Sequence, residues 1–167
     1  TVNSIYFDNN KLSSYNDSIE GVVPRKKIRF RYYNSSLIEN NFIMFEKKIN
    51  SIEGRFKTSE KLFNFKSFLK NGYFDQEYGL CFPKTLVKYK REYFKLFNLR
   101  VTFDTNIKYY LYSKLYSKNT IFEFENDVIL EVKSNQNCKN YINEKFFLEK
   151  IRFSKYCNSI EKLKINY

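Results

Sequence analysis

The stretch "KIRFRYY", residues 27–33, constrains the fold more than any other part of the chain. Lys27, Arg29 and Arg31 alternate with Ile28, Phe30 and Tyr32. A period of two is that of a β-strand, so one face carries three cations and the other three large apolar groups. An ordinary half-buried strand mixes charges of both signs on its wet face. Three like charges side by side repel, and the repulsion needs a reason.

The pattern recurs along the chain. Glu46 and Lys48 face away from Ile43 and Phe45. Tyr89 and Arg91 share a face in "YKR", and Arg100 and Thr102 alternate with Leu99, Val101 and Phe103. Glu131 and Lys133 oppose Val128, Leu130 and Val132. Two arrangements satisfy such strands. In an open sheet, helices cover the apolar faces and the cations look at solvent. In a closed antiparallel barrel, the cations point inward and helices pack outside. A barrel lined with cations suits a linear polyanion, because each cation then gains a charge-assisted hydrogen bond in a poorly solvated space. The bland alternative is a solvated basic face in a lysine-rich chain.

The remaining elements predict an α+β fold. Residues 1–8 read as a strand, and 10–21 as a helix with Leu12, Tyr15 and Ile19 at helical spacing and a stop at Gly21. Residues 41–50 and 51–58 read as a hairpin. Residues 59–72 read as an amphipathic helix, N-capped by Ser59, with Leu62, Phe65 and Leu69 on one stripe and Asn71-Gly72 closing it. Long strands follow at 83–94 and 98–104. Residues 105–118 are ambiguous. Residues 120–133 read as a hairpin turning at Asn126-Asp127. The tail from Tyr141 to Ser159 reads as helical, with Phe147 and Ile151 four apart. No domain boundary is visible, and the 167 residues suit one domain.

Composition narrows the chemistry. The net charge of +12 points to an anionic partner. The chain has no His, which excludes imidazole acid–base chemistry and His metal sites. Any metal would be held by carboxylates, which suits Mg²⁺ or Mn²⁺. Neither a P-loop nor a GxGxxG is present. Cys81, Cys138 and Cys157 show no disulfide or zinc spacing, so a reducing, cytoplasmic compartment is expected. No apolar run approaches the ~18 residues of a membrane span.

Seven segments, "SIYFD…Y…IEG" (4–21), "KIRFRYY" (27–33), "MFEKK" (44–48), "VKYKREYF" (87–94), "LRVTFD" (99–104), "ILEVK" (129–133) and "FSKY" (153–156), occur in an order that resembles the VTC domain. That is the polyphosphate-polymerase domain of vacuolar transporter chaperone complexes and bacterial relatives, within the triphosphate tunnel metalloenzyme (CYTH-like) group. The resemblance implies an antiparallel β-tunnel with helices outside and a C-terminal helix. It implies transfer of the γ-phosphate of ATP, or another nucleoside triphosphate, to a polyphosphate chain with Mn²⁺ or Mg²⁺. Sister activities in the same tunnel hydrolyse triphosphate or a nucleoside triphosphate. A non-catalytic polyphosphate-binding module is a third reading, and a nucleic-acid binder is disfavoured because duplex DNA is too wide for a small barrel.

Carried over by position, the resemblance implies catalytic roles for Arg29, Arg31, Lys48, Arg91, Arg100, Lys133 and Lys155, with Glu131 binding the metal. Lys27, Tyr89, and Lys57 or Lys61 are implied substrate contacts. Glu131 could instead neutralise Lys133 or Arg100. Glu46 is expected to pair with a basic side chain, and Asp104 to be a turn residue or helix cap. Glu123 and Glu125 are expected to face solvent or pair with lysines. The family carries an N-terminal helix and a first strand with its own E-x-K ahead of the "SIYFD" strand. The chain reads as a single tunnel domain over 1–167 lacking that segment.

Overall fold

The fold follows from strands whose two faces differ in chemistry. The computed structural model describes residues 1–33, 37, 39–114, 122–134, 142, 144, 146 and 148–165. In chain order these are β1 (Val2–Asp8), α1 (Ser13–Glu20), β2 (Arg25–Tyr33), β3 (Ile43–Ser51), β4 (Gly54–Leu62), α2 (Phe65–Asn71), β5 (Tyr73–Asp75), β6 (Gly79–Leu96) and β7 (Leu99–Leu111). There follow a 3₁₀ turn (Tyr112–Lys114), β8 (Phe122–Phe124), β9 (Ile129–Ser134) and α3 (Lys155–Lys162). All strand pairs are antiparallel, in the order β4-β3-β2-β1-β6-β7-β8, with β5 on β6 and β9 on β7.

The architecture is α+β, as the sequence predicts, but the barrel is not closed. Among the described residues no ladder joins β4 to β8 or β9, so the sheet does not close on itself. One edge of β7 pairs with β6. The other is shared by β9 along Leu99–Asp104 and β8 along Lys108–Tyr110, and among the described residues the outer edges of β8 and β9 do not pair with β4. The same sharing corrects the hairpin expected over 120–133. Its two strands lie end to end along β7 instead of pairing with each other, and residues 120 and 121 fall outside the described residues.

Two further expectations are corrected. Ser59–Leu62 belong to β4, in register with Glu46, Phe45, Met44 and Ile43. The hairpin turn before Gly54 sets that register, and pairing to β3 overrides the helical periodicity. The helix is Phe65–Asn71. It ends at Gly72, where an added Cβ would sit 2.9 Å from the Cys81 carbonyl oxygen. Phe65, Leu62 and Leu69 do pack into the core. In the tail, Ile142 and Glu144 are helical, residues 148–154 carry no regular secondary structure, and α3 spans Lys155–Lys162. Ser154 caps it, accepting from the Cys157 amide. Ile151 precedes the helix and is exposed, and Phe147 lies outside the described residues. Cys81 and Cys157 are buried free thiols, and Cys138 lies outside the described residues.

The sheet carries a core on each face. Ile5, Phe7, Ile28, Phe30, Ile43 and Phe45 form the convex-face core, beneath Phe65, Phe68 and Leu69 of α2. Val2, Tyr6, Val87, Tyr89, Ile107 and Tyr109 form the concave-face core with Tyr156 and Ile160 of α3. Helix α3 packs on this core through Tyr156 and Ile160. Buried Asp8 ties this arrangement together. It accepts from the amides of Asn9, Ser14 and Tyr15, which start α1, and from the Tyr156 hydroxyl of α3 at 2.6 Å. Burial raises the Asp8 pKa despite these bonds. Tyr156→Phe removes the bond that joins α3 to β1. It is expected to lower stability by about 2 kcal/mol, as for a hydrogen bond to a charged group, in urea denaturation at neutral pH.

Candidate functional site

On the concave face the parity is continuous from strand to strand. Arg29 lies opposite Glu46 and Tyr6, and Arg31 opposite Met44 and Ser4. Across the sheet, Arg91 lies opposite Asp104, Tyr93 opposite Thr102, and Thr102 opposite Glu131. A bulge preserves this. Between Lys88 and Lys90 of β6 the register slips, and Asn106 adopts a left-handed φ of 52°. The extra residue in β7 lets Thr102 and Asp104 share a face with Ile107 and Tyr109. Asp104 therefore lines the polar end while Ile107 and Tyr109 pack against α3.

The result is a basin of ≈ 540 Å³. Ten cations and one carboxylate, Glu131, line it. Every residue assigned a catalytic role from the resemblance faces this basin: Arg29, Arg31, Lys48, Arg91, Arg100, Lys133 and Lys155. Lys27, Lys57, Tyr89 and Glu131 line it as well. Lys61 does not. It lies farther along β4, opposite Met44, with its ammonium 4.7 Å from the Phe42 ring centroid. The geometry thus separates Lys57 from Lys61. Among the described residues the passage is a basin in an unclosed sheet, instead of the enclosed tunnel expected.

Three carboxylates organise these cations. Glu46 is nearly buried and holds Arg29 at 2.7 Å, Lys57 at 2.5 Å and Arg31 at 3.7 Å, consistent with its expected pairing role. Asp104 corrects its expectation. It is neither turn nor cap but fully buried in mid-strand. It accepts a bidentate pair from Arg91 at 2.5 and 2.6 Å and holds Lys155 at 2.5 Å. Its parity with Arg100 and Thr102 could have shown this. Glu131 is the most open of the three, 39% exposed, with Lys133 at 3.0 Å and Arg91 at 3.5 Å. Of the other two acidic residues expected to be peripheral, Glu123 is exposed and Glu125 pairs with Lys162.

Two tyrosines complete the floor. Arg29 donates to the Tyr6 hydroxyl at 3.1 Å, and Arg31 to the Tyr89 hydroxyl at 3.2 Å. Tyr89 also lies beneath the charges of Arg91 and Lys155. Burial pushes its pKa up to about 12, against the pull of Arg31. Burial acts the same way on Tyr6, but Arg29 and Arg31 outweigh it and lower its pKa. The sequence reading overlooked Tyr6 and Arg55, which also lines the basin. Tyr6 needed the β1–β2 register to be found. Lys27 donates to Ser154 Oγ at 2.7 Å, joining β2 to the start of α3. Arg31 Nε and Thr102 Oγ1 are buried without a partner among the described residues.

The family model for the VTC domain matches residues 1–75 and 64–164. The chain belongs to the VTC domain family. That family lies within the triphosphate tunnel metalloenzyme fold superfamily and is associated with polyphosphate polymerase activity. No curated protein matches the chain. Among the described residues, no helix is long and apolar enough to cross a membrane.

Glu46 gives the site a defined acid sensitivity. Burial alone would raise its pKa, but the charges of Arg29 and Arg31 and the hydrogen bonds from Lys57 and Arg29 lower it from 4.5 to about 2. A lowered carboxyl contributes stability that is fully present above its unfolded value and lost as pH falls through its folded one. The window is therefore pH 4.5 down to about 2. Glu46→Gln should be less stable than wild type at pH 7 by about 3 kcal/mol, and the gap should close across that window. Comparing the two proteins isolates Glu46 from Asp8, whose raised pKa acts in the opposite sense. Denaturant midpoints measured from pH 7 to pH 2 check it.

Proposed function

We propose that the basin binds a nucleoside triphosphate and a polyphosphate chain, and transfers the γ-phosphate of ATP to that chain. The observation that carries this reading is the convergence of ten cations from six strands and the start of α3 on one basin, in a chain of the VTC domain family. Phosphoryl transfer depends on positioning and charge neutralisation more than on covalent help from the protein. Arg29, Arg31 and Arg91 are already oriented by Glu46, Asp104, Tyr6 and Tyr89, so their free N–H groups meet phosphate oxygens without further ordering. Lys48, Arg100 and Lys133 add charge at the rim. The acceptor is a terminal phosphate oxygen, ionised already, so no protein base is needed, in keeping with a chain that lacks His.

Among the described residues, the chemistry of the basin carboxylates supports one position for a divalent ion. Among the described residues no three Cys, Asp or Glu side chains come together. Glu46 and Asp104 are each saturated by two or three cations. Glu131 is the accessible carboxylate, and its partners Lys133 and Arg91 are themselves phosphate-binding groups. Mn²⁺ or Mg²⁺ would be held by Glu131, with the remaining positions left to substrate oxygens, and would neutralise charge developing on the transferred phosphate. The small donor set also favours a second reading, in which the basin binds polyphosphate without turnover.

Tripolyphosphate at 100 times its Kd should add about 2.7 kcal/mol to folded-state stability, seen as a rise of several degrees in Tm. The double variant Lys48→Ala/Arg100→Ala should remove most of that rise while leaving the unliganded Tm near wild type, each single change removing a smaller part. Among the described residues neither cation has a carboxylate within ion-pair distance. A duplex DNA that outcompetes tripolyphosphate would sink the reading.

With ATP and Mn²⁺, chromatography of the products separates chain extension from hydrolysis and from no turnover. Glu131→Gln should keep the tripolyphosphate-induced Tm rise and abolish metal-dependent turnover. Normal turnover by that variant would remove Glu131 from the metal site.

A further inference from the structure

The strand register sets cations directly opposite one another in two rows. Lys27 pairs with Lys48, and Lys48 with Lys57, across β2, β3 and β4. Lys95 pairs with Arg100, and Arg100 with Lys133, across β6, β7 and β9. Like charges directly opposed on one face of an antiparallel pair destabilise the ladder. Deeper in the basin the strands avoid this, with Arg29 opposite Glu46 and Arg91 opposite Asp104. The two rows also approach each other across the unclosed side of the sheet. Lys48 is destabilised as a cation by burial first and then by the charge of Lys133, with Lys27 adding to it.

Five of these six cations line the basin, and Lys95 does not. It is exposed and lies four residues beyond Arg91 on β6, roughly 13 Å away at the usual strand rise. Strand β1 pairs with β6 only as far as Tyr89, and among the described residues the segment from Lys90 to Leu96 is paired with β7 alone. The row Lys133–Arg100–Lys95 therefore starts at the basin rim and runs outward onto this hairpin. Among the described residues Arg100 and Lys95 have no carboxylate within ion-pair distance. A surface shaped only for solubility would intersperse acidic groups there.

We propose that the two rows form one track for a linear phosphate chain, which leaves the basin over Arg100 and Lys95 along the β6–β7 hairpin. The inference rests on the polyphosphate-binding reading of the basin and adds an outer contact at Lys95, beyond the basin lining. The ligand is a chain longer than a triphosphate, with successive phosphates held by Lys27, Lys48, Lys133, Arg100 and Lys95. A short oligophosphate gripped at the floor does not extend to Lys95.

The test compares Lys95→Gln with wild type, using tripolyphosphate and long-chain polyphosphate as probes in calorimetric titrations at several salt concentrations. Lys90→Gln serves as control, since Lys90 lies on the opposite face of β6 and pairs with Glu92. Lys95→Gln should weaken long-chain binding about three- to fivefold, the scale of one exposed ion pair, and leave tripolyphosphate binding unchanged. The slope of log affinity against log salt for the long chain should fall by about one. Equal effects on both probes, or no difference from Lys90→Gln, overturn the track while the basin reading stands. Wild-type protein that binds neither probe overturns the basin reading and the track together.

Discussion

Ten cations around one basin are tolerable only because three carboxylates stand among them, and the rest of the architecture follows from where those carboxylates are held. Glu46 on β3, Asp104 on β7 and Glu131 on β9 each gather at least two cations. Breaking a buried ion pair by removing one partner is strongly destabilising, because the remaining charge is left uncompensated. Glu46 and Asp104 are nearly or fully buried, so the guanidinium groups they hold have little freedom. The unliganded basin is thus pre-organised by internal anions that occupy one side of each cation. On the proposed reading, a phosphate oxygen would meet the other side without the side-chain ordering that loose lysines would require.

Asp104 links this electrostatic framework to the topology. It holds Arg91 of β6 and Lys155 at the first turn of α3 in the same carboxylate. Helix α3 is fixed independently by the Tyr156–Asp8 bond and the concave-face core, so Lys155 reaches the basin on a rigid element. The bulge at Asn106 makes both possible at once. Without it, the face of β7 that presents Asp104 to the basin would turn Ile107 and Tyr109 away from α3. Either the ion-pair network or the second core would be lost.

Alternating strands made the cationic face legible in advance, because a period of two survives any tertiary arrangement. Arg29, Arg31, Lys48, Arg91, Arg100 and Glu131 all lay on strands whose parity was plain. Closure of the sheet was not legible. Whether β4 meets the outer edge of β9 depends on the twist accumulated over the whole sheet, and nothing local encodes that. Ser59–Leu62 show the same limit, since their helical spacing yielded to a ladder set by a turn several residues earlier. Asp104 was misassigned because its position after an apolar run resembled a strand end. The strand continues to Leu111. The tail was over-read as helix because apolar spacing four apart does not require helix, and residues 148–154 carry no regular secondary structure.

Floor and rim divide the labour of recognition between residue types. At the floor, Arg29, Arg31 and Arg91 are held in fixed orientation by carboxylates and phenols, and a planar fork held in one plane discriminates the geometry of its ligand. At the rim, Lys48, Lys57 and Lys133 are compact charges on flexible stems, and Arg100 is free of any carboxylate among the described residues. Such a rim attracts phosphate without demanding one register, which suits a ligand whose repeating units are alike. A site for a single small anion gains nothing from cations that continue past its walls. The unclosed side between β4 and β9 fits the same logic. A closed ladder there would join the rows by hydrogen bonds but bar lateral access; on the proposed reading, its absence among the described residues would let a long chain be laid in along its length instead of threaded end first.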